Sequence, residues 1–260
     1  MERAKFAIIG GSGFEQLFKD AEPLHIGTPY GAASMAIGMT EDRPVAFLSR
    51  HEAEHSVPPH RINYRANIWA LHQVGVERII ALNAVGAVNR DFRPCDIVVP
   101  HDFIDFTKMR SATFCDEPPV THVDFSQPYC PETRGFLLEA LRGSSLRVWE
   151  KAVFLCTEGP RYETPAEVEM FRRLGCDVLG MTGVTEAVLA RELEMCYVAV
   201  CCVTNMAAGL QEKIRPAEAA EMPKLIAPRL EQALIEAVKA LPVARKDCPC
   251  LSALKNARFP

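Results

Sequence analysis

Short apolar runs alternate with stretches of helical spacing along most of the chain, and that alternation reads as an α/β protein. Lys5 to Ile9 predicts a strand ending in Gly10-Gly11-Ser12-Gly13, and Pro44 to Ser49 predicts a second. Asn63 to Val74 carries Tyr64, Ile68 and Leu71 on one helical face, with Gly75 as its stop. Arg78 to Leu82, Asp96 to Val99, Ala152 to Cys156 and Tyr197 to Val203 read as strands. Pro131 opens a helix that Gly143 closes. Thr164-Pro165-Ala166-Glu167 is a capping box, and its helix runs to Leu174 before Gly175. Thr185 to Leu193 predicts another helix. A last helical pattern covers Ala217 to Leu241, interrupted by Pro223 and Pro228.

No stretch rich in Gly, Ser or Pro divides the chain, so the expectation is one domain over residues 1–242 and a loose, irregular tail over 243–260. The 260 residues are 48% apolar and 24% charged, which excludes disordered and collagen-like chains. Lys plus Arg number 29 against 33 Asp plus Glu, a net charge of -4. Nucleic acid and anionic membranes are therefore poor partners. Without a spanning apolar run or a signal-type segment, a cytoplasmic protein is expected. The ten cysteines sit mostly in apolar runs such as MCYVAVCCV and read as reduced core residues. Cys248-Pro249-Cys250 is the one C-x-C pair, with too few neighbours in sequence to make a zinc site.

The chemistry gathers in polar loops after strands. Gly10-Gly11-Ser12-Gly13 lets backbone and hydroxyl approach an anion, but lacks the full dinucleotide spacing. Arg50-His51-Glu52-Ala53-Glu54-His55 contains an H-E-x-x-H match over His51, Glu52 and His55, with His60 beyond. A zinc peptidase needs that match on a helix, whereas here a strand precedes it and Pro58-Pro59 follows. The competing reading is an anion loop in which Arg50 and His51 face phosphate. Asn83-Ala84-Val85-Gly86, Thr157 to Thr164, Met181-Thr182-Gly183 and Thr204-Asn205 likewise end strands, and together they predict one composite pocket.

The blocks GGSGF, SRHEAEHSVPPHRINYRANIWAL, NAVGAV, VTHVDFSQPYCP, TEGPRYETPAE and MTGVTEAVLARE resemble the trimeric purine nucleoside phosphorylase and methylthioadenosine phosphorylase family, from about residue 5 to residue 210. The resemblance implies a single α/β domain with a mixed, barrel-like sheet surrounded by helices. It implies cleavage of a purine nucleoside by inorganic phosphate, with no metal or organic cofactor, in a homotrimer or a dimer of trimers. By motif, Ser12, Arg50, His51, Ala84 and Thr182 would hold phosphate; Met181 would lie against the ribose; Tyr162, Glu163 and Asn205 would hold the base. His122 resembles a residue that closes the sugar pocket of a neighbouring subunit.

Within the family, methylthioadenosine enzymes usually carry a D-x-D pair where this chain has Asn205-Met206-Ala207, and Ser where it has Glu163. Glu163 with Asn205 is the pair typical of enzymes for 6-oxopurines. The physics agrees: an ionised Glu163 accepts the N1–H of hypoxanthine or guanine and repels the N1 lone pair of adenine. Asn205 can bond O6 and N7. Pro216 stands where general enzymes place a His for the 5′-hydroxyl, which favours an apolar 5′ group. S-methyl-5′-thioinosine is thus the expected substrate, with inosine or guanosine the runner-up and methylthioadenosine behind them. A zinc hydrolase and a non-catalytic nucleoside-binding protein are the rival classes.

Overall fold

The computed structural model describes residues 4–11, 23–40, 43–52, 56–245 and 248–259. Among the described residues, eleven strands form one mixed sheet. Its centre is built from β1 (Phe6–Gly10), β4 (Arg43–Ser49) and β5 (Arg78–Ala87). β1 runs parallel to both neighbours, pairing Ile8 with Phe47 on one side and with Ile80 on the other. Beyond β4 lies a hairpin of β2 (Pro23–Thr28) and β3 (Gly31–Thr40).

The sheet branches at β5. Its first half pairs with β1, its end pairs antiparallel with β10 (Val178–Gly180), and its other edge carries β11 (Cys196–Met206) throughout. β10 continues to β9 (Val153–Thr157) and then β7 (Asp102–Phe106). β11 continues to β6 (Ile97–Val98) and β8 (Val148–Trp149).

Strand periodicity divides the core in two. Along β11, Tyr197, Ala199, Cys201 and Val203 join one apolar cluster, while Val198, Val200 and Cys202 join the other. Both faces being covered is what makes this strand read as an unbroken apolar run. The first cluster packs under α1 (Tyr64–Gln73) and α4 (Gly183–Glu192). The second packs under α2 (Pro131–Arg142) and α5 (Pro216–Ala240), whose Ile226, Leu230, Ala233, Leu234, Ala237 and Val238 form a helical stripe. α3 (Pro165–Arg173) begins at the expected capping box: Thr164 Oγ1 accepts from Glu167 N, and the Glu167 carboxylate accepts from Thr164 N.

Two expectations are corrected. α5 is continuous through Pro223 and Pro228. The carbonyls those prolines free belong to half-buried Ala219 and exposed Lys224, where water can take the place of the lost bonds. The tail is docked rather than loose. Cys248, Cys250 and Ala257 are buried, His122 N donates to Ala257 O, and Phe259 N donates to Val120 O.

Candidate active site

A pocket of about 570 Å³ opens where the sheet branches. It is lined by the ends of β4, β5, β10 and β11, by the loop after β9, and by the start of α5. The geometry brings together Arg50, His51, Ala84, Tyr162, Glu163, Met181, Thr182, Asn205 and Pro216, all expected from the sequence. Ser12 lies outside the described residues. His122 is exposed and does not line this pocket.

The floor is polar and deeply buried. Arg50 is 2% exposed, and its guanidinium is fixed from behind. Nε and Nη2 donate to the two oxygens of Glu186, the latter at 2.9 Å, and Nη1 donates to Leu82 O at 2.8 Å. Among the described residues three of the five N–H donors are thereby used. Burial works against the charge, but the Glu186 carboxylate outweighs it and holds the guanidinium pKa above its ordinary value. Tyr197 Oη donates to the same carboxylate at 2.8 Å. Close approach here demands glycine at position 11, since a Cβ would lie 2.6 Å from Arg50 Nη1 and 2.7 Å from Leu82 O.

His51 Nδ1 lies 2.8 Å from Val57 O, which can only accept, so Nδ1 carries the proton. Thr182 caps α4 by position but not by side chain; its hydroxyl donates to Asn83 Oδ1. The zinc-peptidase reading of His51, Glu52 and His55 loses its helix. Glu52 has φ of +59°, a left-handed turn that no α-helix passes through, and His55 lies outside the described residues.

At the other end, Glu163 accepts from Thr157 Oγ1 at 2.7 Å through Oε1. Glu163 lines the pocket beside Tyr162. Asn205 is set by an irregularity in β11: the register passes from Val203↔Val85 to Asn205↔Gly86, with Thr204 as the extra residue. Thr204 Oγ1 donates to Asn205 Oδ1 at 2.8 Å, and Asn205 Nδ2 donates to Met206 O at 2.8 Å. Among the described residues one amide hydrogen has no acceptor and stays available. The far wall is apolar, made by Ile214, Pro216, Ala219 and Ala220. Gln211 ties that wall to the sheet, accepting from Met206 N and donating to Glu218 of α5.

Two functional residues were not predicted from the sequence. Glu186 lies inside the MTGVTEAVLARE block, and its charge in an apolar helix was the available signal. Arg110 clamps the loop after β9, donating to Glu158 O at 2.8 Å and Thr157 O at 3.2 Å as well as to the Glu158 carboxylate.

This pocket, at the ends of strands in a branched mixed sheet, belongs to a recognised family. Residues 5–241 match the phosphorylase superfamily, and the chain belongs to it, among the purine nucleoside phosphorylases. It is 46% identical to a probable S-methyl-5′-thioinosine phosphorylase of Methanopyrus kandleri, over 96% of this chain and 97% of that one. It is equally 46% identical to the 6-oxopurine nucleoside phosphorylase of Pyrococcus furiosus (97% and 98% covered), and 44% identical to an S-methyl-5′-thioadenosine phosphorylase of the same organism (97% and 98%). A methylthioadenosine phosphorylase from an antarctic soil metagenomic library superposes with a TM-score of 0.91 at 32% identity, covering 100% of this chain and 93% of that one.

Proposed function

We propose that the chain phosphorolyses S-methyl-5′-thioinosine to hypoxanthine and 5-methylthioribose 1-phosphate. The observation that carries this reading is a single pocket with a carboxylate and an amide, Glu163 and Asn205, beside an apolar wall of Ile214, Pro216, Ala219 and Ala220. Relatives named for methylthioinosine, 6-oxopurine nucleosides and methylthioadenosine stand at nearly equal identity, so the choice among them rests on these side chains.

Phosphate would sit on the polar floor. Arg50, the Ala84 N–H and Ser12 would supply donors to its oxygens, the Thr182 hydroxyl would turn from Asn83 to join them, and His51 would line the anion. Held beneath C1′, the anion stabilises the positive charge that grows on the ribose as the glycosidic bond breaks, and then bonds to C1′. Electrons from the broken bond enter the purine. The available Asn205 amide hydrogen is directed at N7 or O6, where that negative charge collects. Glu163 accepts the N1–H of a 6-oxopurine and repels the N1 lone pair of a 6-aminopurine. Tyr162 and Met181 would enclose base and ribose, and the α5 wall would take the methylthio group. This route needs phosphate as co-substrate and neither a metal nor an organic cofactor at the pocket. His122, on the surface of its own chain, fits a role at the pocket of a neighbouring subunit in a trimer or dimer of trimers.

A phosphate-dependent assay over methylthioinosine, inosine, guanosine and methylthioadenosine tests the reading. The expected order puts methylthioinosine first in kcat/KM. Methylthioadenosine in first place would overturn the base assignment, and inosine equal to methylthioinosine would overturn the 5′ assignment.

A further inference from the structure

Four buried cysteines that are scattered in sequence converge at the opposite end of β5 and β11 from the pocket. Cys130 precedes α2, Cys196 opens β11, and Cys248 and Cys250 come from the docked tail. Cys248 Sγ lies 3.3 Å from both Cys130 Sγ and Cys196 Sγ, and all four sulfurs fall within 4.8 Å of one another. The Cys248-x-Cys250 pair therefore gains the two partners that its sequence neighbourhood lacked.

We propose that Cys130, Cys196, Cys248 and Cys250 form a structural tetrathiolate site for a zinc ion. A tetrahedron with zinc–sulfur bonds of about 2.3 Å has sulfur–sulfur edges of about 3.8 Å, inside the observed range. Four ligands of one soft type with no carboxylate or imidazole among them select zinc over harder divalent ions.

The surroundings supply what such a site needs. Four thiolates around a divalent cation leave a net negative charge, and two sources of positive potential face it. Arg78, 1% exposed, points Nη1 at Cys196 Sγ from 3.9 Å. Cys130 is the N-cap of α2, where Thr133 N and Oγ1 donate to its sulfur at 3.4 and 3.3 Å. Such donors to sulfur are the outer contacts that orient and stabilise metal thiolates. Full burial explains why the cluster is closed to substrate and structural in kind. Its consequence is the anchoring of the tail: zinc would join the tail to residues 52 and 118 positions earlier in the chain. The same tail holds Val120 and His122 through Phe259 N and Ala257 O.

The test uses the full-length protein, expressed with zinc and purified without chelator. Elemental analysis should find about one zinc per chain, and a mercurial titration monitored with a zinc dye should release it in step with thiol modification. Replacing the ion by Co²⁺ should give thiolate-to-cobalt charge-transfer bands with the d–d pattern of tetrahedral sulfur coordination. In Cys248→Ser/Cys250→Ser the zinc should fall to less than about a tenth per chain. The cobalt spectrum of the unmutated protein keeps the test decisive should that variant fail to fold. Intact mass after denaturing alkylation supplies the opposing outcomes. Zinc-free protein whose four thiols all alkylate, and which takes up no Co²⁺, overturns the site. So does a zinc-free chain lighter by four hydrogens with those cysteines unmodified, which would mean two disulfides instead.

Discussion

The two ends of the pocket are built differently. The proposed phosphate end is part of the core: Arg50, His51, Thr182 and the supporting Glu186 are all buried, held by bonds to strands, to α4 or, for His51, to the loop carbonyl of Val57. The proposed base and sugar end is a rim. Tyr162 is 37% exposed and Glu163 half-buried, both on a loop, while Ile214 and Pro216 sit at the start of a helix tied to the sheet through Gln211. On the proposed reading the common co-substrate would be met by a buried floor, and the feature that distinguishes one nucleoside from another by residues whose replacement disturbs little else. Relatives of different named specificity at 44–46% identity are what such a division allows.

The largest effect should come from breaking the floor. Glu186→Ala leaves Arg50 and Tyr197 buried without their carboxylate and should cost about 3–5 kcal/mol of stability. Phosphate KM should rise by about tenfold or more while nucleoside KM changes little. Denaturant unfolding and phosphate saturation curves check both parts; a variant with unchanged phosphate KM would show that Arg50 needs no such support. At the rim, Asn205→Asp should keep the fold and narrow the preference for 6-oxopurines by about tenfold or more, read as the ratio of kcat/KM for methylthioinosine and methylthioadenosine. An unchanged ratio would remove Asn205 from base selection. Pro216→His, introducing a donor into the apolar wall, should raise inosine relative to methylthioinosine by about tenfold in the same assay.

The smallest effect lies just beyond the rim, in the cap of α3. Thr164→Ala should cost about 1 kcal/mol, measured by thermal unfolding. The Glu167 carboxyl in that cap is held down to about 2 by hydrogen bonds from Arg161 and then from Thr164 N. Because the folded value is depressed, its stabilisation is complete above about pH 4.5 and is lost as pH falls through about 2. Glu167→Gln should therefore flatten the acid limb of the stability profile and leave neutral-pH activity unchanged; an unaltered acid limb would deny the carboxylate this role.

What was legible in the sequence follows the same division between local and distant. Caps, prolines and strong apolar runs placed β1, β4, α1, α2 and α3 within a residue or two, because each is specified by neighbours in sequence. The β2–β3 hairpin was missed: Gly27, Ala32, Ala33, Ser34 and Gly38 dilute its alternation, and much of it is exposed. β7 was hidden by Asp102 and Asp105 within a five-residue strand. The pocket residues were readable because most end strands or stand in polar loops. Their supports were not: Glu186 pairs with an arginine 136 residues away, and the cysteines meet across 52 and 118 residues. Spacing along the chain carries no trace of such partners.

The extra residue in β11 has a consequence for how this enzyme can change. Side chains alternate along a strand, so phase is a matter of counting residues from the last fixed pair. Asn205 faces Gly86, and hence the pocket, only because Thr204 is inserted after Val203. Point substitutions at position 205 exchange one pocket group for another and keep that phase. Loss or gain of one residue in the preceding stretch would instead bring a neighbouring side chain to Gly86 and carry the amide away from the pocket. At this position the pocket is open to replacement and closed to changes in length.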